Sequence, residues 1–123
     1  MKTREATVFV LLLLVLLTPA AAQDIYLGNT ASGWKYWVRV GTLKAIGGDQ
    51  YHKDYKVQLK MQRPYDKSVL TAWHTLYWGG VTTFGVDYED KIEVFEIADQ
   101  DKKRIALKLF DTIYGQGNWL CGH

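Results

Sequence analysis

Tyr55-Lys56-Val57-Gln58-Leu59-Lys60-Met61-Gln62 alternates apolar and polar side chains without a break. A period of two puts Tyr55, Val57, Leu59 and Met61 on one face and Lys56, Gln58, Lys60 and Gln62 on the other, which is the pattern of a half-buried strand. Upstream, Trp34–Leu43 repeats it, with Tyr36, Val38 and Val40 opposed to Lys35, Trp37 and Arg39. Downstream, Val69–Trp78 fits either a short helix or a strand, and its Val, Thr and Trp content favours the strand. Lys91–Ala98 reads as a strand through Ile92, Val94, Phe95 and Ile97, and Arg104–Phe110 as another through Ile105, Leu107 and Leu109. Turn signals separate these segments: Gly47-Gly48-Asp49, Arg63-Pro64-Tyr65-Asp66, Gly79-Gly80, Asp99–Lys103 and Gly115-Gln116-Gly117-Asn118. Short strands at such spacing predict an all-β chain, an antiparallel β-sandwich of about seven or eight strands. The expected core is Val38, Val40, Val57, Leu59, Ile92, Val94, Ile105, Leu107 and Leu109.

The whole sequence is 123 residues, 48% hydrophobic and 23% charged, with a formal net charge of +2. Such a balance fits neither a disordered tail nor a strongly electrostatic nucleic-acid binder, and nucleic acid is not an expected partner. Val8–Leu17 is an unbroken apolar run behind Lys2 and Arg4, followed by Pro19 and Ala20-Ala21-Ala22. A basic start, a short apolar stretch and small residues at the cleavage site are the marks of a signal peptide, expected to span residues 1–22. Residues 23–123 then form one domain, and the product is expected to be secreted or retained in the secretory pathway. The single cysteine, Cys121, excludes an internal disulfide and is a candidate intermolecular thiol, so the expected state is a monomer or a Cys-linked dimer.

Catalytic patterns are lacking. His52, His74 and His123 lie far apart in the sequence, without H-E-x-x-H, and neither Ser32 nor Ser68 sits in a G-x-S-x-G elbow. Neither Gly79-Gly80 nor Gly115-Gln116-Gly117 is followed by the Lys-Ser/Thr of a phosphate loop. The expectation is a non-catalytic protein.

Two other groups of residues suggest binding. Loop carboxylates are concentrated around Asp87–Asp101, and Asp49 and Asp54 flank an earlier turn. A hard cation such as calcium takes six to eight oxygens. Asp49, Asp54, Asp99 and Asp101 are therefore the candidate metal ligands, against the plainer reading of solvated turns; no other cofactor is expected. The second group is aromatic and basic. Five Trp and eight Tyr are present, and Trp37 takes the polar face of its strand with Lys35 and Arg39, while Trp78 lies beside a loop signal. An aromatic ring beside cations suits an interface with one apolar and one wet side. Trp37, Trp78, Lys35, Arg39, Lys56 and Lys60 are thus the candidate residues for binding lipid or a partner.

The order of these signals resembles a PLAT (lipoxygenase-homology) domain. The likeness rests on Tyr36–Thr42, Gly47-Gly48-Asp49 and Tyr55–Leu59, then on Phe84-Gly85-Val86-Asp87 with Asp90–Val94, and finally on Arg104–Asp111 with Gly117–Cys121. The chain is similar in plan to the small secreted single-domain plant PLAT and embryo-specific proteins. It departs from them in its Gly-Gly-Asp turn, in having one cysteine, and in stopping where the family continues into a last strand. Either that strand is missing, or Asp24–Leu27 fills its place, or the sequence is truncated. The resemblance implies a β-sandwich without catalysis that binds membrane lipid or proteins, sometimes with calcium, in a stress- or defence-related role. Two alternatives stand beside it: a calcium-dependent lipid-binding sandwich of another family, and a protein-interaction module acting through an exposed sheet edge.

Overall fold

The computed structural model describes residues 23–83 and 91–120. The expected signal peptide, the Phe84–Asp90 part of the family resemblance, and Cys121 lie outside the described residues. Six strands follow one another: β1 (Asp24–Asn29), β2 (Lys35–Gly48), β3 (Lys53–Gln62), β4 (Val69–Tyr77), β5 (Val81–Thr82) and β6 (Ile92–Glu93). Each pairs antiparallel with its sequence neighbour, giving one curled sheet in the order β1-β2-β3-β4-β5-β6. A turn of 3-10 helix, Val94–Glu96, leads to one α-helix, α1 (Gln100–Tyr114).

The protein is mostly antiparallel β. The strands expected over Trp34–Leu43, Tyr55–Gln62 and Val69–Trp78 are present as β2, β3 and β4, and Asp24–Leu27 lies in the edge strand β1. Two expectations need correction. Lys91–Ala98 is extended only at Ile92–Glu93 before it turns into the 3-10 segment. Arg104–Phe110, read as a strand and likened to the family's late strand, lies within α1.

The helix forms because Asp99 caps it, accepting a hydrogen bond from the Lys102 backbone N–H at 3.0 Å. Its first three turns are Lys, Arg, Ala and Leu for the most part, residues that lose little on entering a helix. Ile105, Ala106, Leu109 and Phe110 then fall on one buried stripe. The i, i+2 spacing of Ile105, Leu107 and Leu109 is a by-product of that stripe, and Leu107 is only half-buried beside it. Gly115, at φ 92°, ends the helix and returns its N–H to the Asp111 carbonyl.

Helix α1 supplies the layer that closes the core. Leu27, Val38, Val57, Leu59 and Leu76 from the sheet meet Val94, Ile97, Ile105, Ala106, Leu109, Phe110 and Trp119 in one buried cluster. Of the expected core, Val38, Val57, Leu59, Val94, Ile105 and Leu109 are fully buried, while Val40, Ile92 and Leu107 pack against it half-buried. Trp119 is buried between Phe95 and Phe110, and its indole N–H donates to the Asp111 carboxylate at 2.7 Å.

The curl of the sheet has a visible cause in β2. Arg39 faces Gln58 and Lys44 faces Lys56, so Val40–Leu43 answer to Val57 alone. The Thr42 hydroxyl fills the broken ladder, donating to the Arg39 carbonyl (2.6 Å) and accepting from the Gln58 N–H (2.8 Å). Bulges bend a strand and increase its twist. The inner face becomes concave and α1 occupies it.

Candidate functional site: the convex sheet face

Strand alternation sends the residues opposite the core to the outer surface, and the register aligns them. Tyr26 of β1 pairs with Trp37 of β2, Trp37 with Lys60 of β3, and Lys60 with Thr71 of β4. The adjacent row runs Asp24, Arg39, Gln58 and Trp73. A third pairs Lys44 with Lys56, and Lys56 with Thr75. Cations and aromatic rings are therefore interspersed on one face of the sheet.

Contacts lock this array. The Lys60 ammonium lies 4.8 Å from the Trp37 ring centroid and 2.8 Å from the Asp24 carboxylate. Tyr26 tilts against Trp37 with centroids 5.5 Å apart. The ammoniums of Lys44 and Lys56 lie over the Trp73 ring at 5.6 and 5.2 Å. Arg39 donates to the Gln58 side-chain carbonyl at 2.7 Å. A cation over an indole face is attracted by the ring quadrupole, by about 0.5–1 kcal/mol where exposed. That attraction holds each charge at the surface above an apolar ring.

Five of the six residues expected to bind lipid or a partner therefore share this face or its rim: Lys35, Trp37, Arg39, Lys56 and Lys60. Trp78 does not. It follows β4 at the end of the sheet, where His52 lies against it with ring centroids 4.7 Å apart and Tyr114 meets its edge at 5.3 Å. Its backbone N–H donates to the Asp54 carboxylate at 3.0 Å. Trp73, Lys44 and Tyr26 take its place in the array. For Trp73 the signal was present in the sequence: counting by twos back from the buried Leu76 and His74 puts it outward.

The four candidate metal ligands do not converge. Asp49 closes the β2–β3 turn by accepting the Tyr51 and His52 backbone N–H groups at 2.8 and 2.7 Å, which hold its carboxyl below the usual range. Asp54 bonds Trp78 as described. Asp99 caps α1, and Asp101 ties the helix to the β1–β2 turn by accepting the Ala31 N–H at 2.9 Å, with Arg104 at 3.1 Å. The Ala31 bond is the main cause of the lowered Asp101 pKa. Asp49 and Asp101 thus serve the turns at opposite ends of β2, while Asp54 binds the backbone after β4 and Asp99 the start of α1. Among the described residues no group of three or more His, Cys, Asp or Glu side chains is placed to hold a metal ion.

A second feature lies at the Trp78 end. The β2–β3 turn, the start of β3, Trp78 and the end of α1 wall a cleft of about 530 Å³. Tyr51, Tyr55, Trp78 and Tyr114 give it four aromatic walls. The Tyr114 hydroxyl donates to the Lys53 carbonyl (2.8 Å), with the Leu76 carbonyl at 3.3 Å, so the helix end is tied to both β3 and β4. Burial, and then the Asp54 charge, push this phenol well above its ordinary pKa. It stays neutral.

Comparison with family models, curated proteins and solved structures finds no match to this chain.

Proposed function

We propose that the chain is an exported, non-catalytic binding module whose convex sheet face docks on anionic membrane lipid. The observation that carries this reading is the array in which Lys60 lies over Trp37 and Lys44 and Lys56 over Trp73. Lys35 and Arg39 add to its positive charge, and Asp24 is the acid paired within it. Basic residues close to an anionic leaflet contribute about 1 kcal/mol each, and indole rings favour the headgroup boundary. Charge draws the face toward phosphate-bearing headgroups, and the rings beneath the ammoniums are then placed to enter the interface. No helix among the described residues is long and apolar enough to cross a membrane, and this reading asks only for a peripheral contact.

Co-sedimentation with phosphatidylserine-containing vesicles, against phosphatidylcholine alone, tests it. Binding is expected with the anionic vesicles at low salt, weakened as added salt shortens the screening length from about 10 Å toward about 3 Å. Chelator is expected to leave it unchanged, because the four aspartates are spent on turns and caps. Equal retention on both vesicles, or none on either at low salt, would end the lipid reading. A requirement for calcium would return the loop carboxylates to the centre of the argument.

A protein partner is the second reading, and the position of β1 at the edge of the sheet among the described residues favours it. That strand is bonded to β2 on one side, with Ile25 and Tyr26 exposed along it. A partner strand could add there, with main-chain hydrogen bonds giving the affinity. Retention by a protein partner that survives high salt and is blocked by Ile25→Pro would favour this surface over the basic face. A Cys121-linked dimer would show on a non-reducing gel.

A further inference from the structure

The cleft beside Trp78 lies apart from the convex array and has a different chemistry. Its volume of about 530 Å³ falls within the roughly 300–1,000 Å³ of small-molecule sites. We propose that it binds a small aromatic carboxylate, with the ring held between tyrosine and tryptophan walls and the carboxylate turned to Lys53.

The shape argues for a flat apolar group. Tyr55 and Tyr114 meet at 58° with centroids 5.5 Å apart, and Trp78 meets Tyr114 at 84° and 5.3 Å. His52 lies against Trp78 and Phe110 stacks on Tyr114, so a further aromatic ring would meet Tyr51, Tyr55 and the rest of Trp78, edge-to-face or offset. The Tyr114 tether to two strands holds these walls in place before any ligand arrives. A preformed site loses less on binding.

The polar inventory argues for an anion. Lys53 is the charged side chain of the lining, and no carboxylate belongs to it. The Tyr114 hydroxyl is spent on backbone carbonyls, and the Asn118 amide nitrogen on the Tyr114 carbonyl at 3.2 Å. The Trp78 indole N–H is buried with no acceptor among the described residues. A lining with a cation and no acid matches a ligand that brings negative charge. A sugar, whose hydroxyls are uncharged, would leave the Lys53 ammonium without a counter-charge.

The test is a titration of the protein with 2-naphthoate, followed by NMR at the indole N–H signals. Trp78→Phe identifies the Trp78 signal by its loss. 2-Naphthylmethanol, which lacks the charge, and cellobiose, a sugar, are run in parallel. The expected result is a saturable shift of the Trp78 signal with naphthoate, weaker binding of the alcohol, and no saturable shift with cellobiose. Lys53→Gln alters an exposed side chain and leaves the backbone carbonyl that Tyr114 uses. It is expected to weaken naphthoate about tenfold, the loss of one charge-assisted contact, and to leave the alcohol unchanged. The proposal is overturned if millimolar naphthoate leaves the Trp78 signal in place, if acid and alcohol bind alike, if cellobiose alone binds, or if Lys53→Gln has no effect on naphthoate.

Discussion

Gly80→Ala should be among the most damaging single-methyl additions to this fold, and its cost can be worked out from two independent strains. Gly80 has φ +84°, a conformation that costs a residue with a Cβ about 1–2 kcal/mol. A Cβ there would also sit 2.8 Å from Cζ3 and 3.0 Å from Cε3 of Trp119. Trp119 is wedged between Phe95 and Phe110 and anchored by its N–H to Asp111, so it has little room to retreat. Overpacking of this kind costs about 1–3 kcal/mol. The sum is roughly 2–5 kcal/mol, a large part of the about 5–15 kcal/mol that holds a domain together. Urea unfolding followed by tryptophan fluorescence and far-UV circular dichroism measures it. Repeating the substitution in a Trp119→Leu background separates the two strains: the steric part should vanish, leaving about 1–2 kcal/mol for the backbone. A Gly80→Ala variant within about 0.5 kcal/mol of the parent, the scatter of an ordinary surface change, would refute the reasoning. An equal penalty in both backgrounds would show that the ring contact is not what makes glycine necessary.

Three further predictions follow from the same geometry. Burial lowers the His74 pKa from 6.5 to about 4. As pH falls through that window the unfolded chain takes up a proton that the folded chain refuses, so stability drops, by about 3 kcal/mol in all. The difference between the parent and His74→Leu in urea midpoints across that pH range should show it, and a constant difference would remove His74 from the account. Asp99→Ala should cost about 1 kcal/mol by leaving the Lys102 N–H uncapped, with Asp99→Asn recovering most of it in the same urea assay. Replacing Trp37 and Trp73 together by alanine should reduce retention on phosphatidylserine vesicles while removing only about 1.5–3 kcal/mol of cation–π stabilisation, from three contacts. Undiminished retention by a folded double variant would leave charge alone as the cause.

The three long strands were legible in the sequence because each has one wet and one buried face, and a period of two records that difference directly. Val57 and Leu59 against Lys56 and Lys60 is such a record. Arg104–Phe110 misled for a physical reason: in a helix that turns 100° per residue, Ile105, Leu107 and Leu109 are spread over an arc wide enough to touch the core, so they imitate alternation. The decisive signals were Asp99 three residues before Lys102 and Ala106 among strong helix formers, both of which can be read locally. The site was legible in part. Strand parity assigned Trp37, Lys56 and Lys60 to one face, but the pairing of Lys44 with Lys56 depends on the β2 bulge, and nothing local to Val40–Leu43 announces how many residues it skips. Trp78 joins Trp37 on residue type and a neighbouring loop signal, neither of which carries its place in the sheet. Which end of the sheet it serves is decided by long-range contacts with His52 and Tyr114.

That division of the aromatic residues follows from the curl. A flat sheet would offer two comparable faces, whereas the β2 bulge and α1 make one face concave and filled. Lysine and tryptophan on the opposite parity are left to form a broad outer surface, suited to something as extended as a membrane. A small cleft is then left open where the covering helix stops. Gly115 ends α1 one residue after Tyr114, and the β2–β3 turn reaches the same point through Lys53. The two proposed sites therefore draw on different parts of one architecture and can be separated by mutation. Lys56→Glu should weaken vesicle retention and leave 2-naphthoate binding intact, while Lys53→Gln should do the reverse. If either substitution impaired both, the two surfaces would be acting as one, and the separation between sheet face and helix end would fail.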